Sequence, residues 1–299
     1  MTAAPPALTG RHLLLALAVV AVWGTNFVVI KLALAHLPPL LFAALRFALA
    51  AVPLVLFVRR PAVPWRNLAF YGLTIGVGQF GLLFFVMTRY ISPGLASLVI
   101  QAQVFFTVGL AMALAGERLR PFQGVAALVA AAGIAVIASH TDGHTTALGL
   151  VLTLAAALSW ALGNMASRAA GPVDVLAYVA WSSLFAVPPL ALLSLALEGW
   201  PRIAAGLAQA DAATWAAVLW QSLGNTIFGY GAWAWLLARY PAATVTPFAL
   251  LVPVFGMGAA ALALGEPLPP WKLLAAGLVM GGLALNLLWP RIATRWRRG

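Results

Sequence analysis

Cysteine is absent from the chain, and acids are nearly so: six Asp and Glu stand against 17 Lys and Arg in 299 residues. Without cysteine there is no disulfide, no thiolate metal site and no cysteine nucleophile. The acids, Glu117, Asp142, Asp174, Glu198, Asp211 and Glu266, lie dispersed in loops or at the ends of apolar segments. They form no cluster of the kind Mg²⁺ chemistry needs, and no Asp pair lies inside an apolar segment to serve aspartyl chemistry there. His140 and His144 are four apart, but Thr-Asp-Gly between them reads as a loop with no third ligand near, so we expect no metal site. No phosphate-binding loop is present, which removes ATP as an energy source within this chain. The inventory therefore leaves no enzyme and no cofactor. Charge of either sign is scarce, 8% of residues against about 25% in soluble domains. The net charge of +11 does not signal a nucleic-acid partner, because the bases sit between apolar runs and at the C-terminus rather than in a patch.

Apolar residues are what the chain has instead: 64% of the sequence, with a mean hydropathy of +1.00. No soluble fold hides that much apolar surface. The runs are unbroken rather than alternating, which excludes an outer-membrane barrel. The fold class is an all-α polytopic membrane protein with a lipid bilayer around it. Ten apolar segments stand out, at roughly 11–35, 38–58, 67–88, 92–115, 121–139, 147–170, 173–197, 213–238, 241–264 and 270–289. Arg11 before the first run resembles a signal peptide. The run continues past Asn26 to Ala35 without a small-x-small cleavage site, so we read an uncleaved first span. Prolines fall in the gaps, where the first turn of a helix tolerates them. Pro53, Pro188, Pro247 and Pro253 fall inside segments and predict kinks or breaks. Counting gaps alternately from the N-terminus, one side receives twelve bases and the other four, Lys31, Arg89, Arg202 and Lys272. The positive-inside rule puts the N-terminal side in the cytoplasm, with both termini there.

The chain repeats itself. Arg89-Tyr90 opens an apolar span that closes on Gly116-Glu117, and Arg239-Tyr240 opens one that closes on Gly265-Glu266. WGTNFVVIK, from Trp23 to Lys31, matches WALGNMASR, from Trp160 to Arg168, with an Asn inside each. Gly133 and Gly282 each follow their Gly-Glu pair at the same distance. Segments 1–5 thus pair with 6–10. Because five is odd, the second half enters the membrane from the opposite face. Inverted-topology repeats of this kind surround a midplane site in many secondary transporters.

Polar residues inside lipid are costly unless they face protein or water. They gather in segments 1, 3, 4, 6, 8 and 9, a set closed under the repeat, while segments 5 and 10 carry almost none. We expect these six to surround a central cavity for a small amino-acid-like substrate, lined by Trp23, Asn26, Tyr71, Gln79, Phe80, Gln101, Gln103, Trp160, Asn164, Asn225, Tyr230 and Trp233. Phe84, Phe105 and Trp235 are further aromatic candidates. For any single Ser, Thr, Asn or Gln, bonding to a neighbouring helix is the plainer account. Five charges are assigned to gating or structure: Lys31, Arg46, Glu117, Arg168 and Glu266. Arg46 lies deep in the second segment. Pairing with a helix-terminal carboxylate or carbonyls is the favoured reading, and contact with a substrate carboxylate is the alternative. No carboxylate lies near the middle of any segment, so we expect a facilitator, or coupling through a less usual group.

The motifs WGTNFVVIK, PPLLFAALRF, PGLASLVIQAQVFFTVGLAMALAGERL and SWALGNMASR resemble the EamA type of the drug/metabolite transporter superfamily. The resemblance covers nearly the whole chain and recurs in both halves. It implies a ten-helix bacterial inner-membrane exporter built of two EamA repeats, residues 11–139 and 147–289, followed by a basic tail over 290–299. Around LASLVIQAQVFF the likeness is to the branch that exports cysteine and O-acetylserine; a related branch exports aromatic amino acids. Carriers of larger or phosphorylated metabolites in the same superfamily, and a non-transporting membrane scaffold or sensor, are the rival readings. We expect a monomer or weak homodimer. One departure from the pattern is Gly265-Glu266-Pro267-Leu268, which lacks the base that follows Glu117.

Overall fold

An apolar segment can cross lipid only with its backbone satisfied internally. Every regular element among the described residues is accordingly helical. The computed structural model describes residues 8–115, 120–141 and 145–296; Glu117, Asp142 and His144 lie outside them. Eleven helices follow in order: α1 Gly10–Ala33, α2 Pro39–Val55, α3 Trp65–Met87, α4 Pro93–Leu114, α5 Pro121–Ala138, α6 Ala147–Ala170, α7 Val175–Glu198, α8 Trp200–Gln209, α9 over residues 212–239, α10 Thr246–Leu264 and α11 Pro270–Trp296. Proline occupies the first turn of α2, α4, α5, α8 and α11, where its missing N–H is no loss. The side chains of Thr146, Asp174 and Asp211 cap α6, α7 and α9. The hydroxyl and N–H of Thr214 hold the Asp211 carboxyl below the usual carboxylate range.

Eight of these helices are long and apolar enough to span a membrane. Two more passages complete the ten. α2 has 17 residues, about 26 Å at 1.5 Å per residue, slightly short of a ~30 Å hydrocarbon core. α9 is long enough, but Gln221, Ser222, Asn225 and Thr226 lower its hydropathy. α8 was not expected. It occupies the gap after segment 7, where Gly199 at φ 77° breaks the chain and Pro201 restarts it. Its Gly206 lies against Pro38 and the His36 carbonyl, leaving no space for a Cβ.

Contacts at the helix ends sort into two faces. On the first, which holds the start of α1, His12 bonds Tyr240, Asn67 donates to the Ala166 carbonyl and Trp181 to that of Val58. On the second, Lys31 donates to the carbonyls of Met87 and Thr88, the Thr146 N–H bonds the Tyr90 carbonyl, and the Glu198 carboxylate accepts from the N–H groups of Leu40 and Leu41. α1 therefore starts on the first face and α6 on the second. That is the inversion the odd repeat demands. α5 and α11 pack along each other through the repeated glycines: a Cβ on Gly133 would strike Val279 and the Ala275 carbonyl, and one on Gly282 the Ala126 carbonyl. Exposed leucines such as Leu128 and Leu262 face outward, where lipid accepts them.

Five helices depart from regular α geometry, α7 only in its last five residues, the π-helical Ser194–Glu198. α3 and α9, partners under the repeat, each hold a nine-residue π-helical stretch, Leu73–Gly81 and Trp220–Phe228. α4 and α10, also partners, each hold a 3₁₀ stretch, Ile100–Ala102 and Thr246–Leu251. Pro247 lies in the second of these, at one of the expected breaks. The four paired stretches in α3, α9, α4 and α10 lie along the helices that meet at the centre, where backbone distortion is tolerated because protein or water surrounds it.

Candidate functional site

α1, α3, α4, α6, α9 and α10 enclose a cavity of about 520 Å³. All twelve residues named from the sequence for a cavity line this one space. The remaining lining residues are Phe27, Ile30, Leu83, Ile100, Thr246, Ala249 and Val252. Phe27 and Ile30 continue the helical spacing set by Trp23 and Asn26, and that periodicity is the signal that could have found them. An apolar residue facing a cavity is otherwise the same in sequence as one facing lipid. Phe84 is not in the wall; it is fully buried and stacks on Phe42 at 4.7 Å. Trp235 lies away from it too, edge-on to His12 and under the Arg239 guanidinium, and Phe105 packs on the core instead.

The polar groups divide by chemistry. Hydroxyls mostly bond backbone: Thr25 and Thr74 within their own helices, Ser159 to Thr74 of α3, Ser222 to Arg46 of α2. For them the helix-bonding account is the right one. Among the amides, Asn164 Nδ2 donates to Gln103 Oε1 at 2.8 Å and to Thr107 at 3.1 Å, tying α6 to α4. Gln221 Nε2 donates to Asn26 Oδ1 at 2.6 Å, tying α9 to α1. Three amides remain. The side chains of Gln79, Gln101 and Asn225 are 3%, 8% and 4% exposed, line the cavity, and have no hydrogen-bond partner among the described residues. Aromatic faces surround them: Trp23 lies 5.7 Å from Tyr230 and 5.2 Å from Trp233 and donates to the Asn225 carbonyl. Among the described residues, no charged side chain lines the cavity.

The cavity is closed toward the second face and accessible toward the first. Ile30, Leu83 and Ile100 at its second-face end are 0–2% exposed, whereas Trp23, Gln103, Trp160, Asn164, Trp233 and Thr246 are only partly buried. Beside the cavity, α1, α4 and α10 cross with almost no gap; a Cβ on Gly24 would strike α10, and one on Gly256 would strike Ser97 of α4. Further out, Glu266 accepts from Ser92, from the Gly94 N–H at the start of α4 and from Lys272 Nζ at 2.9 Å. Its side chain is 8% exposed. A carboxylate here, past the end of its own helix, serves the N-terminus of another. Lys31 caps the end of α3 nearby. Arg168 is exposed in the last turn of α6.

Arg46 departs from the favoured expectation. It is 1% exposed and meets no carboxylate; Nη2 donates to Thr226 Oγ1 at 2.9 Å, and its guanidinium lies 3.8 Å from the Phe80 ring centre and 4.6 Å from that of Phe47. The described acids, Asp174, Glu198, Asp211 and Glu266, lie at or just past helix ends.

The model of the EamA-like transporter family matches residues 10–139 and 147–288. A probable amino-acid metabolite efflux pump of Salmonella typhimurium is 45% identical, over 93% of this chain and 95% of its own. A pump of the same description in Escherichia coli is 43% identical over 95% and 96%. A probable terminal-alkyne amino-acid exporter of Streptantibioticus cattleyicolor is 30% identical over 89% and 90%. One crystal structure, 22% identical, superposes with a TM-score of 0.65 over 96% of this chain and 99% of its own, which establishes likeness of fold.

Proposed function

The chain belongs to the EamA-like transporter family, and on that footing we propose that it exports amino acids and related small metabolites across the bacterial inner membrane by alternating access. The two matched stretches are the moving halves, with repeats over 11–139 and 147–289 and a basic tail over 290–299. The first face, rich in Arg, is cytoplasmic, so the cavity described above is the inward-open state. The chain works as a monomer or weak homodimer and without catalysis.

The observation that carries this reading is the trio Gln79, Gln101 and Asn225, buried polar groups facing a cavity with no partner of their own. Amides that face a cavity without a protein partner are free to bond a solute that enters. Amide oxygens and the faces of Trp23 and Trp233 suit an ammonium; amide N–H groups suit a carboxylate. Phosphorylated metabolites fit less well, because the walls carry no base. The 43–45% identical relatives named as amino-acid metabolite efflux pumps favour the same substrate class.

Purified protein in proteoliposomes, offered a labelled amino-acid panel alongside phosphorylated sugars and nucleotides, tests this directly. Amino-acid flux that saturates and exceeds that of empty vesicles is expected. Flux confined to phosphorylated compounds, or none at all, overturns it.

A further inference from the structure

We propose that Arg46 is a concealed carboxylate-binding group of the transport site, shuttered from the cavity by the ring of Phe80. The proposal rests on the transport reading above and assigns the cation that the cavity walls lack.

Arg46 is the guanidinium at the middle of α2, wholly enclosed by protein, with Nε and Nη1 making no hydrogen bond. Only Nη2 is engaged, by Thr226. A buried cation is normally matched by a carboxylate and has its N–H groups satisfied. This one has no carboxylate partner among the described residues, and two of its nitrogens are unbonded. Cation–π contact with Phe80 and Phe47 offsets part of the cost but leaves Nε and Nη1 idle. Nη2 carries a second N–H beside the one given to Thr226, and with the N–H of Nε or of Nη1 it forms the kind of edge a carboxylate engages in bidentate fashion.

The position fits. A small void beside Arg46 is lined by Tyr71, Phe80, Thr226 and Tyr230. Tyr71, Phe80 and Tyr230 also line the central cavity, so one layer of aromatic rings separates the cation from the substrate space. The void is about 10 Å³, which holds one water at most and excludes a carboxylate while Phe80 lies over the guanidinium. The ring must therefore swing aside for the carboxylate to arrive. Phe80 and Thr226 sit on the two repeat-related π-helical stretches. π-helical turns are frequent at functional sites. Occupancy of Arg46 would thus be sensed on repeat-related stretches of both halves. The arrangement also explains how a cavity with neutral walls prefers a zwitterion over an amine: the ammonium meets amide oxygens and aromatic faces in the open part, and the carboxylate supplies the missing counter-charge behind the shutter.

The test compares an amino acid with its carboxamide, which keeps the ammonium and shape but not the negative charge. Counterflow in proteoliposomes is measured with labelled L-serine against L-serinamide, and L-phenylalanine against L-phenylalaninamide. Wild type is expected to favour the acid by about tenfold or more, the scale of a charge-assisted hydrogen bond. Arg46→Gln is expected to erase the preference through loss on the acid side, leaving amide flux within about twofold. Arg46→Lys keeps the charge without the fork and is expected to retain part of the preference. Phe80→Ala, which leaves Arg46 intact, should raise the acid-to-amide ratio because no ring has to be displaced. Equal handling of acid and amide by wild type overturns the proposal alone, as does equal loss of both in Arg46→Gln or an unchanged ratio in Phe80→Ala. Wild type that carries neither overturns the transport reading and this inference with it.

Discussion

Gln79, Gln101 and Asn225 differ from Gln103, Asn164, Asn26 and Gln221 in one respect: the second group is bonded across helices and the first is not. The two groups should respond differently to substitution. Gln79→Ala, Gln101→Ala and Asn225→Ala are each expected to lower flux at subsaturating substrate by about tenfold while thermal stability changes little. Unchanged flux in all three, measured in the same vesicles, would remove the cavity from the mechanism. Asn164→Ala is expected to cost about 1–3 kcal/mol of stability, because Gln103 and Thr107 lose their partner; a thermal melt in detergent reads this. Residue identity was legible at the site because amides are rare in lipid and cluster where water reaches. Residue pairing was not. Nothing in the sequence distinguishes the bonded Asn26 from the unbonded Asn225, since partners come from helices nearly two hundred positions away.

Among the elements, the glycine seam between α5 and α11 and the carboxylate at the start of α4 have different duties. Gly133→Leu and Gly282→Leu push a side chain into backbone of the facing helix and are expected to destabilise by about 1–3 kcal/mol, with flux per folded molecule retained, as melts and counterflow together would show. Glu266→Gln weakens the ion pair with Lys272 and the acceptor of Ser92 and Gly94. It is expected to loosen the closed face, so that a cysteine replacing Ile30 becomes reactive toward a thiol reagent applied from that side. Unchanged protection of that cysteine would argue that Glu266 only caps α4. Helix number and pairing could be read from apolar runs, prolines and the repeat. The π-helical stretches in α3 and α9 could not, because a π turn keeps the apolar composition and shows only as local glycine and polar enrichment, at Gly72, Gly76, Gly78 and Gly81 in one and Gly224 and Gly229 in the other. α8 escaped because ten residues with Gly and Pro at the start read as a connector.

For the whole molecule, a chain with no cysteine gives every introduced thiol an unambiguous label. On the proposed orientation, with face one cytoplasmic, a membrane-impermeant maleimide applied from that side is expected to modify Gln103→Cys and to spare Ile30→Cys; the reverse pattern would mean that the cavity opens the other way. With no carboxylate lining the cavity, flux is expected to be indifferent to an imposed pH gradient, and strict dependence on one would point to a proton carrier elsewhere. The paired 3₁₀ stretches carry a further consequence. α4 is wound more tightly, as 3₁₀ helix, over three residues and α10 over six, although the two are partners under the repeat. Sequence kinship lets each adopt its twin's shape. We expect an exchange of the two lengths, six residues in α4 and three in α10, to accompany the opposite-facing state. One snapshot of a twofold-related pair thus holds the blueprint of the opposite conformation, drawn in its other half.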